Sequence, residues 1–256
     1  MPTDDFTLAI QPLKQLGGQR VWSLMISLFG DLARHEGDVI DGPVLSAIMA
    51  AMDVRPEAAR VALHRLRKDN WIASQKHGRT SQHSLTTDGR RQSHAASRRI
   101  YASPDDLAQN WQMVLTDEAT SDAKALSDFV NLEGRIYVGA ADLAPPKNAF
   151  AISGKDAPDW MKRELEPQQL AEGYVQLRAA LEHAVLVLPP PPDLVPREIA
   201  TLRCLVVHNW RRLALKHPAV PRPLIRDDWP GLRCHILVAD LLARYPRPQQ
   251  DSITAV

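Results

Sequence analysis

RVALHRLRKDNWIASQKHGRTSQHSLTTDGRR, residues 60–91, is the part of the 256-residue sequence that decides the fold. Together with residues 92–99 it carries ten Lys and Arg against two Asp, a net charge of +8, although the whole chain has a formal charge of only +1. The rest of the chain is therefore negative, at −7. Such an asymmetry predicts a domain that binds a polyanion. The alternative is a solvated helix face, which usually mixes both signs.

Helices are predicted before and within this stretch. VWSLMISLFGDLAR, residues 21–34, is apolar around most of its circumference, which predicts a helix buried among others. Gly42-Pro43 begins a short helix, and Pro56 begins the next one after the turn DVRP, because proline is tolerated in the first helical turn. At 100° per residue this last helix has an apolar side and a basic side. The apolar residues are Ala59, Ala62, Leu63 and Leu66, and the basic ones are Arg60, His64, Arg67 and Lys68.

A β-hairpin is predicted to follow. WIASQ and TSQHSL are short extended segments separated by KHGR, where Gly78 can take the positive φ of a tight turn. Lys76, His77 and Arg79 make the tip of this hairpin basic. Two packed helices followed by a basic hairpin are typical of a winged helix-turn-helix, whose second helix enters the DNA major groove.

The candidate DNA contacts fall into two groups. Arg60, His64 and Arg67 lie on the outer helix face and are candidates for base edges. The candidates for phosphate contacts are Lys68, Lys76, Arg79, Arg90 and Arg91. The alternative is a winged helix that binds another protein, and its affinity would not fall steeply with salt.

Two phrases resemble a known family. SLFGD at residues 27–31, the stretch of residues 54–92, and RRIYA at residues 98–102 resemble the N-terminal domain of the PaaX family, the repressors of phenylacetate catabolic operons. LVVHNWRRLALKHPAVPRPLIRDDWPG, residues 205–231, is similar to the C-terminal phrase of the same family. The resemblance spans about residues 21–246 and is weaker in the middle.

The resemblance implies a transcriptional repressor that binds an inverted repeat of double-stranded operator DNA as a homodimer, since a two-fold protein matches a palindromic site. It also implies release by a small-molecule effector, phenylacetyl-CoA. Asn209, His217 and the tetraproline run at residues 189–192 depart from the family pattern. A regulator that responds to a different acyl-CoA is therefore the alternative.

A small α+β domain is predicted for residues 103–155. WQMVL, GRIYVGA and NAFAIS are candidate strands, and residues 117–133 are a candidate helix between the first two. The resemblance implies a ferredoxin-like, Cas2-like domain here. Asp117, Glu118 and Asp122 raise the question of a nuclease site, but the helix dipole alone favours carboxylates at a helix N-terminus, and we prefer that interpretation.

Residues 156–256 are predicted to form a helical dimerisation and effector domain, interrupted at Pro167 and at the tetraproline run. HNWRR, residues 208–212, has two interpretations: inter-domain packing around a buried Trp210, or an effector site that offers cations to phosphates and an apolar slot to an acyl group. The candidate effector residues are Trp160, His208, Trp210, Arg211 and Arg212. The predicted order of domains is an N-terminal arm (1–20), the winged helix-turn-helix (21–102), the middle domain (103–155) and the helical domain.

Several classes of protein find no support in the sequence. It contains no nucleotide-binding, hydrolase or metalloprotease motif, and Cys204 and Cys234 lack the spacing of metal ligands. We therefore expect neither an enzyme nor a metal or cofactor site, and both cysteines to be buried. No run reaches the roughly 18 apolar residues of a membrane span, and no secretory signal is present, so a cytoplasmic α+β repressor is expected.

Overall fold

The computed structural model describes residues 4–17, 20–117 and 125–254. Its α-helices are, in chain order, α1 (Asp4–Gln15), α2 (Val21–Leu32), α3 (Gly42–Ala51), α4 (Pro56–Lys68), α5 (Thr87–Tyr101), α6 (Asp159–Leu165), α7 (Gln168–Val187), α8 (Pro196–Ala214) and α9 (Pro230–Arg244). Its strands are β1 (Ile40–Asp41), β2 (Ile72–His77), β3 (Thr80–Leu85), β4 (Trp111–Leu115), β5 (Val130–Glu133), β6 (Ile136–Ala140) and β7 (Phe150–Gly154). The predicted mixture of helices and strands is confirmed, and the strands form two separate antiparallel sheets.

Helices α3 and α4 form the predicted pair joined by a short turn. Pro43 and Pro56 lie in the first turns of these helices, where a missing N–H costs no hydrogen bond. Asp53 takes a left-handed φ of 60° in the turn between them. Ala62 and Leu66 bury the inner side of α4, which packs against α2 and α3. This packing fixes which side of α4 faces solvent.

The predicted hairpin is confirmed as β2 and β3. Its strands pair from Ile72↔Leu85 to His77↔Thr80, and Gly78 at the tip has a φ of +59°. Strand β1 adds to the outer edge of β3, and the Gln82 side chain donates to the Asp41 carboxylate at 3.0 Å. The hairpin is thereby held beside the N-terminus of α3.

Helix α5 leaves the hairpin and carries the chain away from it. Thr86 caps its N-terminus by accepting from the Gly89 N–H at 3.0 Å. A Cβ at Gly89 would lie 2.2 Å from the Trp71 carbonyl oxygen, so only glycine allows this close approach. At 1.5 Å per residue the 15 residues of α5 span about 22 Å.

The second sheet corrects one secondary-structure prediction. Its order is β5-β6-β4-β7, and α6 covers one face through Met161 and Leu165. Of the predicted helix at residues 117–133, the part after residue 124 is instead a turn followed by β5. VNLE alternates apolar and polar residues, the period of a strand, and Gly134 with a φ of +53° turns it into β6. The ferredoxin-like layout stays a prediction.

The predicted N-terminal arm contains a packed helix. Phe6, Ala9, Ile10 and Leu13 of α1 are buried against α7 and α8. These residues have the i, i+3, i+4, i+7 spacing of an amphipathic helix, which the polar residues between them hide. The Asn209 side chain of α8 also donates to the Leu13 carbonyl at 3.0 Å. The segment therefore belongs to the main core.

One hydrophobic core extends from Phe6 to Ile253 and joins the N-terminal helices to α7, α8 and α9, while a smaller core lies between the second sheet and α6. The predicted helix breaks are confirmed, since α6 ends before Pro167 and the tetraproline run lies between α7 and α8. Cys204 and Cys234 are buried free thiols, as predicted. In the part of the chain that the structure describes, no helix is long and apolar enough to cross a membrane.

Candidate functional site

The outer side of α4 is basic and exposed, as predicted. Arg60, His64, Arg67 and Lys68 all lie in solvent. The Arg60 side chain is 76% exposed and only loosely paired with Glu57, at 3.9 Å. A fifth cation of this helix has partners within the chain, because the Arg65 guanidinium stacks over the Trp22 ring, 4.6 Å from its centroid, and pairs with Asp69.

The hairpin tip continues this basic surface. Lys76, His77 and Arg79 are exposed, and Thr80 Oγ1 donates to the His77 carbonyl and closes the turn. Neither Lys76 nor Arg79 forms an ion pair within residues 4–17, 20–117 and 125–254. We call the exposed set on α4 and the hairpin the basic face; its members are Arg60, His64, Arg67, Lys68, Lys76, His77 and Arg79.

The two remaining candidates for phosphate contacts, Arg90 and Arg91, already have partners within the protein. Arg90 is half-buried and donates to the Leu85 carbonyl at 2.8 Å, which fastens α5 to the end of β3. Arg91 is exposed but pairs with Asp88 at 2.9 Å. Their contact with a polyanion stays a prediction, and Arg90 has a structural bond to lose if it turns outward.

A buried histidine lies beneath the basic face. His83 of β3 shares a hydrogen bond with Ser74 at 2.7 Å. Burial and the positive charge of Arg67 together lower the pKa of His83 below its ordinary value. The ring is therefore neutral near pH 7, and the positive potential of this region comes from the exposed cations.

A cavity of about 220 Å³ lies between the end of α5, helices α7, α8 and α9, and residues 217–225. Five aromatic rings line part of its wall. Trp210 stacks on His235 at 5.1 Å, and Tyr174 meets both His217 and Trp229 edge-on, at 5.7 and 5.8 Å. We call this cavity the aromatic pocket; its ring-bearing residues are Tyr174, Trp210, His217, Trp229 and His235.

The histidines of the aromatic pocket are neutral. Burial and the nearby Arg99 lower the pKa of His217 to about 4, and its Nδ1 shares a hydrogen bond with the Tyr174 hydroxyl at 3.1 Å. Burial also lowers the pKa of His235. The walls therefore present flat, uncharged rings to any ligand.

Cations stand at the mouth of the aromatic pocket. Arg99 donates to the carbonyls of Ala214, at 2.8 Å, and of His217, and so caps the C-terminal end of α8. Arg98 is exposed and forms no ion pair within the described parts of the chain. An apolar aromatic wall with a free guanidinium at its mouth suits a ligand that joins a ring to an anionic group.

The aromatic pocket is built directly on the end of α5. The Trp210 indole N–H donates to the Ile100 carbonyl at 3.0 Å, and His235 Nε2 lies 2.7 Å from the Ala102 carbonyl. Because that carbonyl can only accept, His235 carries its proton on Nε2. Helix α5 therefore connects the hairpin at one end with the pocket at the other.

One of the five predicted effector residues, Trp210, lines the aromatic pocket. His208 is fully buried beside Ser27, where burial and the charges of Arg212 and Arg211 lower its pKa to about 3. Arg211 donates to the same Ser27 hydroxyl, and Arg212 faces a different groove near Leu16. Consecutive residues of a helix point 100° apart, so HNWRR cannot line one cavity.

The last predicted effector residue, Trp160, is 58% exposed on α6 and does not line the aromatic pocket. The residues that the sequence interpretation missed are Tyr174, His217, Trp229, His235 and Arg98. Trp229 and His217 do lie in the second family phrase, which was a usable signal, whereas Tyr174 and His235 come from patterns typical of any core helix.

A buried ion pair holds the surrounding helices together. Arg203 of α8 donates to both carboxylate oxygens of Asp31 in α2, at 2.8 and 2.9 Å, and the Tyr101 hydroxyl of α5 donates at 2.9 Å. Burial alone would raise the pKa of Asp31, but the hydrogen bonds and charge of Arg203, with Arg247, bring it below its ordinary value. This charged network fixes α2, α5 and α8 relative to each other.

A nuclease site has no support among the described residues. Asp117 is exposed at the end of β4, and Glu118 and Asp122 lie outside the described residues. In the parts of the chain that the structure describes, no group of three His, Cys, Asp or Glu side chains is arranged to hold a metal ion.

Comparison with known proteins gives matches at both ends of the chain. A family model described as PaaX-like protein matches residues 20–89, and one described as PaaX-like protein C-terminal domain matches residues 165–254. The transcriptional repressor PaaX of Escherichia coli (strain K12) is 25% identical in an alignment 253 residues long, and the alignment takes in 87% of this chain and 79% of the relative. A solved structure, the uncharacterized protein Rv0674 from Mycobacterium tuberculosis, shares the fold with a TM-score of 0.50 and 15% identity, over 87% of this chain and 96% of that one.

Proposed function

This chain belongs to the PaaX family, and from that premise we propose that it is a DNA-binding repressor of an aromatic catabolic operon, released from its operator by an aryl-CoA. Family membership makes the chain a transcriptional regulator rather than an enzyme. The observation that carries the proposal furthest is the basic face, which has seven potentially cationic side chains on one helix and one hairpin tip.

The proposed DNA complex follows from the geometry of the basic face. Helix α4 enters the major groove as the recognition helix of a winged helix-turn-helix, with Arg60, His64 and Arg67 toward base edges. Lys68, Lys76 and Arg79 contact phosphates, and the hairpin extends this contact beyond the groove. Two copies bind the two halves of an inverted repeat, because a homodimer with two-fold symmetry matches a palindromic site.

The proposed effector site is the aromatic pocket. Its flat neutral rings favour an aromatic acyl group such as the phenylacetyl of phenylacetyl-CoA, and the Arg98 guanidinium at its mouth favours the CoA phosphates. The same rings would give an unbranched aliphatic acyl group fewer stacking contacts. Acetyl-CoA is therefore expected to be a poor effector.

Release is proposed to act through α5. An effector shifts an equilibrium only by its differential affinity for the two states, and a change from 1:99 to 99:1 requires about 5.5 kcal/mol. A ligand in the pocket contacts the residues that bind the carbonyls of Ile100 and Ala102. It can thus move the end of α5, whose other end is fastened to the hairpin by Arg90.

The test is binding of the full-length protein to its own promoter DNA and to random DNA, measured by fluorescence anisotropy at two salt concentrations. Phenylacetyl-CoA, acetyl-CoA and free phenylacetate are added in turn. We expect salt-sensitive, promoter-specific binding that only the phenylacetyl thioester releases. If none of the three compounds changes DNA binding, the effector assignment is wrong. If the protein does not prefer its promoter to random DNA, the repressor proposal is wrong and a protein-binding module is favoured.

A pocket variant locates the effector. Leu107 is half-buried at the edge of the aromatic pocket, so Leu107→Trp should fill it without disturbing the main core. We expect unchanged operator affinity and loss of release by phenylacetyl-CoA. Leu143→Trp, at a half-buried position beside the second sheet, is the matched control and should respond like the wild type.

A further inference from the structure

Val61 is an exposed apolar residue of α4 that lies among the cations of the basic face. Val61 is 70% exposed, and it is the only large apolar residue exposed between residues 20 and 102, a range that the structure describes throughout. Every other exposed residue of α4 from Glu57 onward is charged or is His64. A valine here gains nothing from burial within the chain.

The position of Val61 is set by the buried side of α4. Ala62 and Leu66 pack inward, so Val61 projects outward beside Arg60 and one turn before His64. Valine is also a poorer helix former than the Arg, Lys or Glu residues that surround it. At this position, therefore, neither packing within the chain nor helix propensity favours a β-branched apolar side chain.

We propose that Val61 is a specificity-determining residue that contacts the C5-methyl group of a thymine in the operator, an inference that rests on the proposed DNA-binding function. Among the atoms that base pairs display in the major groove, that methyl is the apolar group, and the remaining groups are hydrogen-bond donors and acceptors. A side chain that carries only methyl groups cannot form a hydrogen bond with a base. It can recognise thymine only by burying the C5-methyl group against itself. The cations around Val61 supply affinity for the phosphates and for guanine but do not distinguish thymine from uracil.

The experiment removes methyl groups from each partner in turn: one from a thymine, and two from the Val61 side chain. The operator is first delimited with the wild-type full-length protein, and each thymine is then replaced singly by deoxyuridine, which deletes only the C5-methyl. Wild-type affinity should fall about threefold to fivefold at one thymine, or at a symmetric pair, because one buried methyl group is lost. Val61→Ala should show a similar loss on unmodified operator and no further loss at that thymine.

Two variants control for helix and hydrophobic effects. Val175→Ala changes a valine that is 46% exposed on α7, outside the basic face, and should keep both the affinity and the deoxyuridine response of the wild type. Arg60→Ala should weaken operator binding yet keep the deoxyuridine response.

The outcomes separate the two proposals. Equal sensitivity of wild type and Val61→Ala to every deoxyuridine overturns the thymine contact and leaves the repressor standing. Failure of the wild type to prefer its promoter over random DNA, seen before any variant is used, overturns both.

Discussion

The basic face and the aromatic pocket are built in opposite ways. On the basic face the functional side chains are exposed and have few partners inside the protein; Arg60, for example, has only a 3.9 Å contact with Glu57. In the aromatic pocket, two of the rings already form hydrogen bonds within the protein: the Trp210 indole donates to the Ile100 carbonyl, and His235 donates to the Ala102 carbonyl.

Because of this difference, substitutions in the two regions should affect DNA binding and folding stability differently. Surface substitutions that remove no internal partner usually change the free energy of unfolding by less than about 0.5 kcal/mol. Substitutions on the basic face should therefore change DNA binding alone. Substitutions of the pocket rings that belong to the main core, Tyr174, Trp210 and Trp229, should change stability together with effector response.

The largest expected effect is on stability, at the buried ion pair between Asp31 and Arg203 in the main core. Asp31→Asn removes the negative charge but keeps the size of the side chain, and it leaves the buried Arg203 without its counter-charge. We expect the free energy of unfolding to fall by about 3–5 kcal/mol, as is usual when one partner of a buried pair is lost. Urea denaturation followed by circular dichroism measures it.

Asp227→Asn is the matched control for that experiment. Asp227 also pairs with an arginine, Arg222, but its side chain is 88% exposed. Solvent screens such a pair, so the urea midpoint should stay close to that of the wild type. Equal losses in the two variants would contradict the distinction between buried and exposed charge on which the comparison rests.

The next effect is on the basic face. Arg60→Ala should cost about 1–3 kcal/mol of operator affinity and relax the preference for operator over random DNA, because a base contact is lost. The urea midpoint should not move. Normal operator binding by Arg60→Ala would contradict the proposed base contact. A lower urea midpoint would contradict the expectation that basic-face residues affect DNA binding without affecting stability.

Acid should distinguish the buried histidines of the core from the exposed histidines of the basic face. His208 is neutral in the folded protein, with a pKa near 3, whereas an unfolded histidine titrates near pH 6.5. Between these values the unfolded state binds the extra proton, so stability is complete above about pH 6.5 and is lost as the pH falls. The loss amounts to at most about 1.4 kcal/mol per pH unit for one group.

His208→Gln should therefore flatten the dependence of unfolding free energy on pH between 6 and 4. Part of the slope should persist, since His217 is also held neutral by burial. His64→Gln is the control, because His64 lies in solvent on the basic face. A slope that is the same in His208→Gln and in the wild type would show that this histidine does not remain neutral in the folded state.

The sequence predicts the basic face well and the aromatic pocket poorly, for a physical reason. The basic side of α4 and the turn at Gly78 depend on periodicity and on one glycine, which are local properties. The pocket depends on how α5, α7, α8 and α9 pack, and a local pattern does not specify which side of Tyr174 or His235 faces a cavity.

The same limit explains the misjudged segments. Helix α1 has an amphipathic pattern only three turns long, and the many polar residues around Phe6 and Ile10 conceal it. Strand β5 is four residues long and follows an acidic stretch with helical composition. Such short patterns become decisive only when a neighbouring element, α7 for the helix or β6 for the strand, is already in place.

The smallest expected effect tests the hairpin tip. Lys76→Ala should weaken operator and random DNA about equally and reduce the slope of log affinity against log salt by about 1, because one phosphate contact releases one fewer counterion. Lys147→Ala, an exposed lysine between β6 and β7, should leave the slope unchanged. Lys76 is exposed at the hairpin tip, so a change in slope reports DNA contact rather than folding. If Lys76→Ala instead weakens binding to the operator but not to random DNA, Lys76 contacts a base. In that case both helix α4 and the hairpin contribute to sequence recognition.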